Sequence, residues 1–133
     1  MTSIIYDSFF TDQANGVIIP GTDSFKAMLV TSGYTPNKKT HTNTGDVTNE
    51  VVGTGYTAGG GAVVLGVTND TTNDRCDIAL GGFNWTSSVI TARGVVYYKA
   101  STNKLVCFID FVTDVVTTTG TFILASSILR IQN

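Results

Sequence analysis

The sequence is poor in charge. Asp, Glu, Lys and Arg make up 14% of its 133 residues, against about a quarter in an ordinary globular chain. It holds a single glutamate, Glu50, and five lysines. Surface helix formers are therefore scarce, which excludes helix bundles and coiled coils. The eight basic residues are scattered and the net charge is −2, so no basic footprint for nucleic acid can form. Cysteine is nearly absent too. Cys76 and Cys107 are too few for a disulfide scaffold and do not make a Cys-x-x-Cys. With His41 the lone histidine, no metal centre of the usual spacing is expected. No apolar run approaches the ~20 residues that cross a membrane as a helix. Met1-Thr2-Ser3-Ile4-Ile5-Tyr6-Asp7 lacks the basic and then apolar regions of a secretory signal.

What fills the chain instead is threonine, 22 residues, and glycine, 14 residues, beside 42% hydrophobic residues. β-Branched composition with adequate apolar content predicts strands rather than disorder. The length suits one domain over residues 1–133, large enough to bury a core without staples.

Short β-rich runs alternate with turn residues. Asp23 to Thr31 reads as a strand with Phe25, Ala27 and Leu29 on one face. Ala62 to Thr68 reads as another, with Val63, Leu65 and Val67 toward the core. After the turn Asn69 to Asp74 comes Arg75 to Leu80, where Cys76, Ile78 and Leu80 alternate with Arg75, Asp77 and Ala79. Ile90 to Ala100 and Lys104 to Phe111 flank the loop Ser101-Thr102-Asn103, the clearest hairpin. Thr119 to Leu124 and Ile128 to Ile131 suggest a last pair. Seven or eight strands predict an all-β sandwich, a jelly roll being one candidate topology.

Two regions do not read as strands. Tyr6 to Ala14 places Tyr6, Phe9 and Phe10 at helical spacing, ending at Asn15-Gly16. Ser32 to Gly61 is long, polar and glycine-punctuated. Inside it, Asp46 to Val51 suggests one helical turn with Asp46 as N-cap. Loops of this length are usually functional or disordered.

Catalytic chemistry is not evident. His41 lies in the polar excursion, away from any paired nucleophile. Gly53 to Gly61 lacks the Lys-Ser/Thr ending of a phosphate loop, so its glycines are read as backbone devices. Asp70, Asp74 and Asp77 do not follow the alternate-position calcium pattern and read as a solvated turn. No cofactor is expected. Cys76 and Cys107 both fall on apolar faces and are expected buried and reduced. Ile109 and Phe111 are expected in the core.

Tyr97 and Tyr98 lie on opposite faces of one strand, as do Val95 and Val96. A strand apolar on both faces needs both covered. A flap, a helix or a neighbouring subunit must therefore lie over the second face, and a homo-oligomer is one way to supply it.

These residues also resemble a family. The runs Tyr6-Asp7-Ser8-Phe9 and Phe25 to Pro36 are similar to small virion proteins of tailed bacteriophages. So are Asp46 to Gly60, Trp85 to Tyr98 and Ile109-Asp110-Phe111, in the same order. The resemblance covers roughly Tyr6 to Leu124, and the 117–131 end departs from it. Members carry labels such as virion structural, head decoration or tail fibre protein. The resemblance implies a capsid decoration (cement) protein on the virion surface, assembled in the bacterial cytoplasm. Its partners would be the major capsid protein and its own copies, as a trimer on threefold lattice sites. The alternatives are a tail or fibre component, a carbohydrate-binding module stacking sugars on Trp85, Tyr97 or Tyr98, and a hydrolase. The excursion is expected to carry the interface, with Tyr34, Pro36, Val47, Val51 and Tyr56 as apolar anchors, because ordering it costs entropy that a partner surface would offset.

Overall fold

β-Branched runs produce eight strands in the computed structural model, which describes residues 2–132. They are β1 (Thr2–Ile5), β2 (Phe25–Val30), β3 (Gly61–Val63), β4 (Leu65–Asp70), β5 (Arg75–Leu80), β6 (Phe83–Lys99), β7 (Leu105–Leu124) and β8 (Ser127–Gln132). A helix, α1 (Asp7–Ala14), follows β1. Asp7 sits in its first turn, where the helix dipole favours a carboxylate. Asn15 caps its end, and Gly16 then turns the chain with a φ of 71°.

The strands form two antiparallel sheets, ordered β1-β7-β6-β2-β3 and β4-β5-β8. The result is an all-β sandwich. Its hairpins β4–β5 and β6–β7 stay inside one sheet. That departs from a jelly roll, whose chain crosses between sheets at nearly every step. Leu29, Val95 and Tyr97 of the larger sheet meet Leu65, Ile78, Leu80 and Leu129 of the smaller in one apolar core. Trp85 lies at the end of that core, edge-on to Tyr56 at 5.7 Å and to Phe122 at 5.9 Å.

Several expected elements are redrawn. The single strand over Ala62 to Thr68 is two strands, one in each sheet, because the chain changes sheet at Val64. Val64 is 77% exposed and accepts a hydrogen bond from Gly81 N–H at 2.9 Å. A side chain at Gly81 would collide with that carbonyl. Beyond the break Val67 is exposed, not core. Thr119 to Leu124 and Ile128 to Ile131 do not pair with each other. The first ends β7 against β6, and the second lies in β8 against β5. Ile109 and Phe111 pack on the core only half-buried.

Both faces of β6 are covered from Val95 to Tyr98, as the paired tyrosines and valines require. Val95 and Tyr97 face the smaller sheet. Val96 and Tyr98 face a second cluster with Tyr6, Met28, Val30, Tyr34, Leu105 and Phe108, onto which Val47 packs. The cover is the chain's own Ser32 to Gly61 excursion and the residue that opens α1. The outer face needs no neighbouring subunit.

Candidate functional site

The excursion is the most elaborate part of the molecule, and its polar residues are used to hold it in place. It is tacked to β2 by a bridge between Val30 and Glu50 and to the β6–β7 turn by a bridge between Asn43 and Lys104. Between them a short 3-10 turn spans Thr44–Asp46. Its N-cap is Asn43, whose side chain accepts from Gly45 N–H at 2.8 Å. Asp46 is the reciprocal member of the capping box, accepting from Thr42 and Asn43 N–H. The expected N-cap role of Asp46 is thus corrected by three positions. Asn43 supplies the cap because it is the residue with extended backbone before the turn. Those two N–H donors hold the Asp46 carboxyl below the usual aspartate range.

A buried polar chain pins the first half. Tyr6 and Tyr34 hydroxyls meet at 2.8 Å, and Tyr34 reaches His41 Nδ1 at 2.9 Å. Asn37 N–H also points at His41 Nδ1, at 3.2 Å. A backbone N–H can only donate, so Nδ1 is the unprotonated acceptor and Tyr34 donates to it. Tyr6 therefore donates to Tyr34. The Tyr34 ring stacks on His41 and stands edge-on to Phe108. Burial raises both hydroxyls above the ordinary tyrosine value, that of Tyr6 well above it.

A second hub organises the other half. Glu50, the one glutamate of the sequence, accepts from the Tyr56 hydroxyl at 2.7 Å and from Gly59 N–H at 2.6 Å. Tyr56 in turn accepts from Leu29 N–H of β2 at 3.0 Å, and Tyr98 donates to the Gly59 carbonyl. The glycines let the backbone close up. Gly60 has a φ of 86°, and a Cβ there would strike the Ala27 carbonyl. A Cβ at Gly53 would strike the Val89 carbonyl in the same way.

Four of the five anchors, Tyr34, Val47, Val51 and Tyr56, therefore turn inward. Tyr34 and Val51 are buried, Val47 and Tyr56 pack on the two clusters, and Pro36 is half-buried. Tyr34 and Tyr56 are brought into the two hydrogen-bonded hubs; Pro36 is in neither. The sequence reading missed Glu50, Tyr6 and Asn43 as organising residues. Glu50 carried a signal in being the only glutamate, but its partners were not readable.

Among the described residues no cluster of three or more His, Cys, Asp or Glu could hold a metal. Cys107 is fully buried and its thiol is pushed up to about 12 by that burial, so it is no nucleophile. Cys76 is half-buried, less sheltered than expected, and both thiols are free. Asp70, beside Arg75, accepts from Thr72 and Asn73 and so organises its own turn. Trp85, Tyr97 and Tyr98 are all at most 4% exposed, so none offers a ring face to a sugar. The most apolar recess is a cleft of about 260 Å³ beside β7, lined by Tyr97, Ile109, Phe111, Val115 and Phe122 among others. It has no charged group and no pair of groups suited to acid–base work.

Among the side chains the surface presents are several large apolar ones. Val52 is 95% exposed and Ile123 68%, with Val64, Val116 and Ile128 also open. No helix among the described residues is long and apolar enough to cross a membrane. Comparison with protein-family models, with curated proteins and with solved structures finds no match for this chain.

Proposed function

We propose that this chain is a structural protein of a tailed-phage virion, a decoration protein that bridges major capsid subunits on the head. The observation that carries the reading is the division of labour in the side chains. Cys107, Tyr6, Tyr34, Tyr97 and Tyr98 are buried, and the half-buried His41, Glu50 and Tyr56 are hydrogen-bonded to groups of the fold itself. The exterior offers large apolar residues, Val52, Val64 and Ile123 among them, in a chain with only 14% charged residues. Such a molecule acts by burying surface rather than by reacting. Each square ångström of apolar area covered contributes about 25 cal/mol before the cost of association. Repeated over many copies, that would brace a shell against internal pressure. The resemblance of Phe25 to Pro36 and Asp46 to Gly60 to small phage virion proteins supports the same reading.

In this reading Tyr34, Val47, Val51 and Tyr56 act indirectly, by holding the outer surface of the excursion in one shape. Val52, beside the buried Val51, is the apolar residue that surface offers most openly. Quantitative mass spectrometry of purified particles tests the assignment. A decoration protein is present in hundreds of copies, and heads lacking it lose DNA at lower temperature. A few copies per particle would make it a tail or fibre part, and absence from the particle would end the virion reading.

A further inference from the structure

The two sides of the β6–β7 ribbon are treated differently. On the β6 side the excursion closes the edge: Val89 donates its N–H to the Thr54 carbonyl at 2.9 Å, and Gly53 and Gly55 allow the backbones to touch. On the β7 side β1 pairs with Cys107 to Asp110 and stops. From Val112 to Thr121 no strand among the described residues lies on the side of β7 away from β6. Natural sheets protect such an edge with lysine, proline or a covering loop. This segment has none of these, and its one charge is Asp114.

The register says which groups are free. Val89 aims its N–H away from β7, so by alternation Ile90 faces β7, and its N–H indeed meets the Thr117 hydroxyl at 3.2 Å. Ile90 is opposite Thr117. Val116 and Thr118 therefore turn their N–H and C=O groups to the open edge. Irregularities lie at each end of this window, between Ala92 and Gly94 and between Ser88 and Val89. Val115 to Thr118 pairs regularly with Val89 to Ala92 between them.

We propose that this edge pairs with the same edge of a second copy of the chain, antiparallel, about a twofold axis at Thr117. An axis normal to the sheet keeps each face on its own side, so the paired residues must have numbers of equal parity. Centring on Thr117 places Val116 opposite the partner's Thr118, and Thr118 opposite the partner's Val116. Those two pairs exchange four backbone hydrogen bonds. The charges fit this arrangement. Asp114 falls opposite the partner's Gly120, and the two Asp114 side chains end about 20 Å apart at the strand rise, beyond the ~10 Å screening length. Val116, 58% exposed at the edge itself, gains cover from the partner strand. The pairing joins two ribbons into a four-stranded sheet and does not depend on the capsid reading.

Sedimentation velocity on the full chain, from micromolar to about a hundred micromolar, tests it. The expected result is a species of twice the 14.1 kDa chain mass. Val116→Lys and Thr118→Lys, both at exposed positions, should each weaken self-association at least tenfold with unchanged circular dichroism. Thr117→Cys, made with Cys76→Ser, should form an interchain disulfide under mild oxidation, and Thr113→Cys in the same background should not. A chain that stays monomeric throughout overturns the proposal. So does an oligomer that survives both lysine variants, because its interface then lies elsewhere.

Discussion

All five tyrosines of the chain have hydroxyls pushed above their ordinary value of 10, in each case chiefly by burial. Raising the pH should therefore unfold the protein steeply. The sign follows from proton binding. Above pH 10 the unfolded chain releases tyrosine protons that the folded chain retains, so stability is complete below that pH and declines beyond it. At pH 11 each unfolded tyrosine gains about 1.4 kcal/mol from ionising, so Tyr6, Tyr56 and Tyr97, the most strongly shifted, together gain about 4 kcal/mol, and at pH 12 about 8 kcal/mol, with Tyr34 and Tyr98 adding in the same direction. A domain of this size is stable by about 5–15 kcal/mol. Unfolding is expected between pH 11 and 12, as one cooperative step. Phenolate absorbance near 295 nm should stay low until then and rise together with the loss of the far-ultraviolet circular dichroism of the sheets. A phenolate signal with a midpoint near pH 10 in a chain that keeps its dichroism would refute the reasoning. It would mean that the tyrosines, and the excursion that buries Tyr34 and Tyr56, are open to solvent.

Phe122, 2% exposed and edge-on to Trp85, should cost about 3–5 kcal/mol when truncated to alanine. Half-buried Phe111 should cost clearly less, and chemical denaturation of both variants checks the ranking. Thiol labelling of native protein should modify Cys76 and leave Cys107 untouched until the chain unfolds, with modification of both at equal rates ruling out the sealed core around Cys107. Gly60→Ala combines a φ of 86° with a clash against the Ala27 carbonyl, so it should lose more than about 1 kcal/mol. A neutral effect in thermal melts would show that the turn can rearrange. Stability should also fall below about pH 4, because Asp46, Asp70 and Asp110 have carboxyls lowered by N–H and side-chain donors. The unfolded chain takes up their protons first, and denaturant midpoints measured from pH 6 to 3 read it out.

Local patterns were legible wherever the fold is local. Arg75 to Leu80 is a strand over those same residues, and Tyr6, Phe9 and Phe10 mark α1, with Phe9 buried and Phe10 left outside. The turn at Ser101 to Asn103 does join β6 to β7. The failures are non-local. Val63-Val64-Leu65 reads as one apolar run, and only the approach of Gly81 breaks it. Asn43 and Asp46 are both good caps three residues apart, and the choice between them rests on the bridge from Asn43 to Lys104. Tyr97 and Tyr98 demanded cover on both faces. The identity of that cover depends on Tyr6 meeting Tyr34 across 28 residues, which no periodicity encodes. The anchors were recognised as apolar fixtures of the excursion, but the surface they grip is the chain's own.

The pairing of β1 with β7 fixes an order of events during synthesis. Thr2 meets Asp110, and Ile5 meets Cys107. β1 therefore leaves the ribosome with no partner and waits while about a hundred further residues are made. β6 and β7 are joined by a short turn and close with little loss of chain entropy. The fold should accordingly grow from its later half backward. The β6–β7 ribbon forms first, β2 docks on it, and β1 is stitched on afterwards, carrying Tyr6 and the helix into place over the outer face. Until that last step Ile4, Ile5 and Tyr6 are unprotected, and this is the interval in which a chaperone would have something to hold.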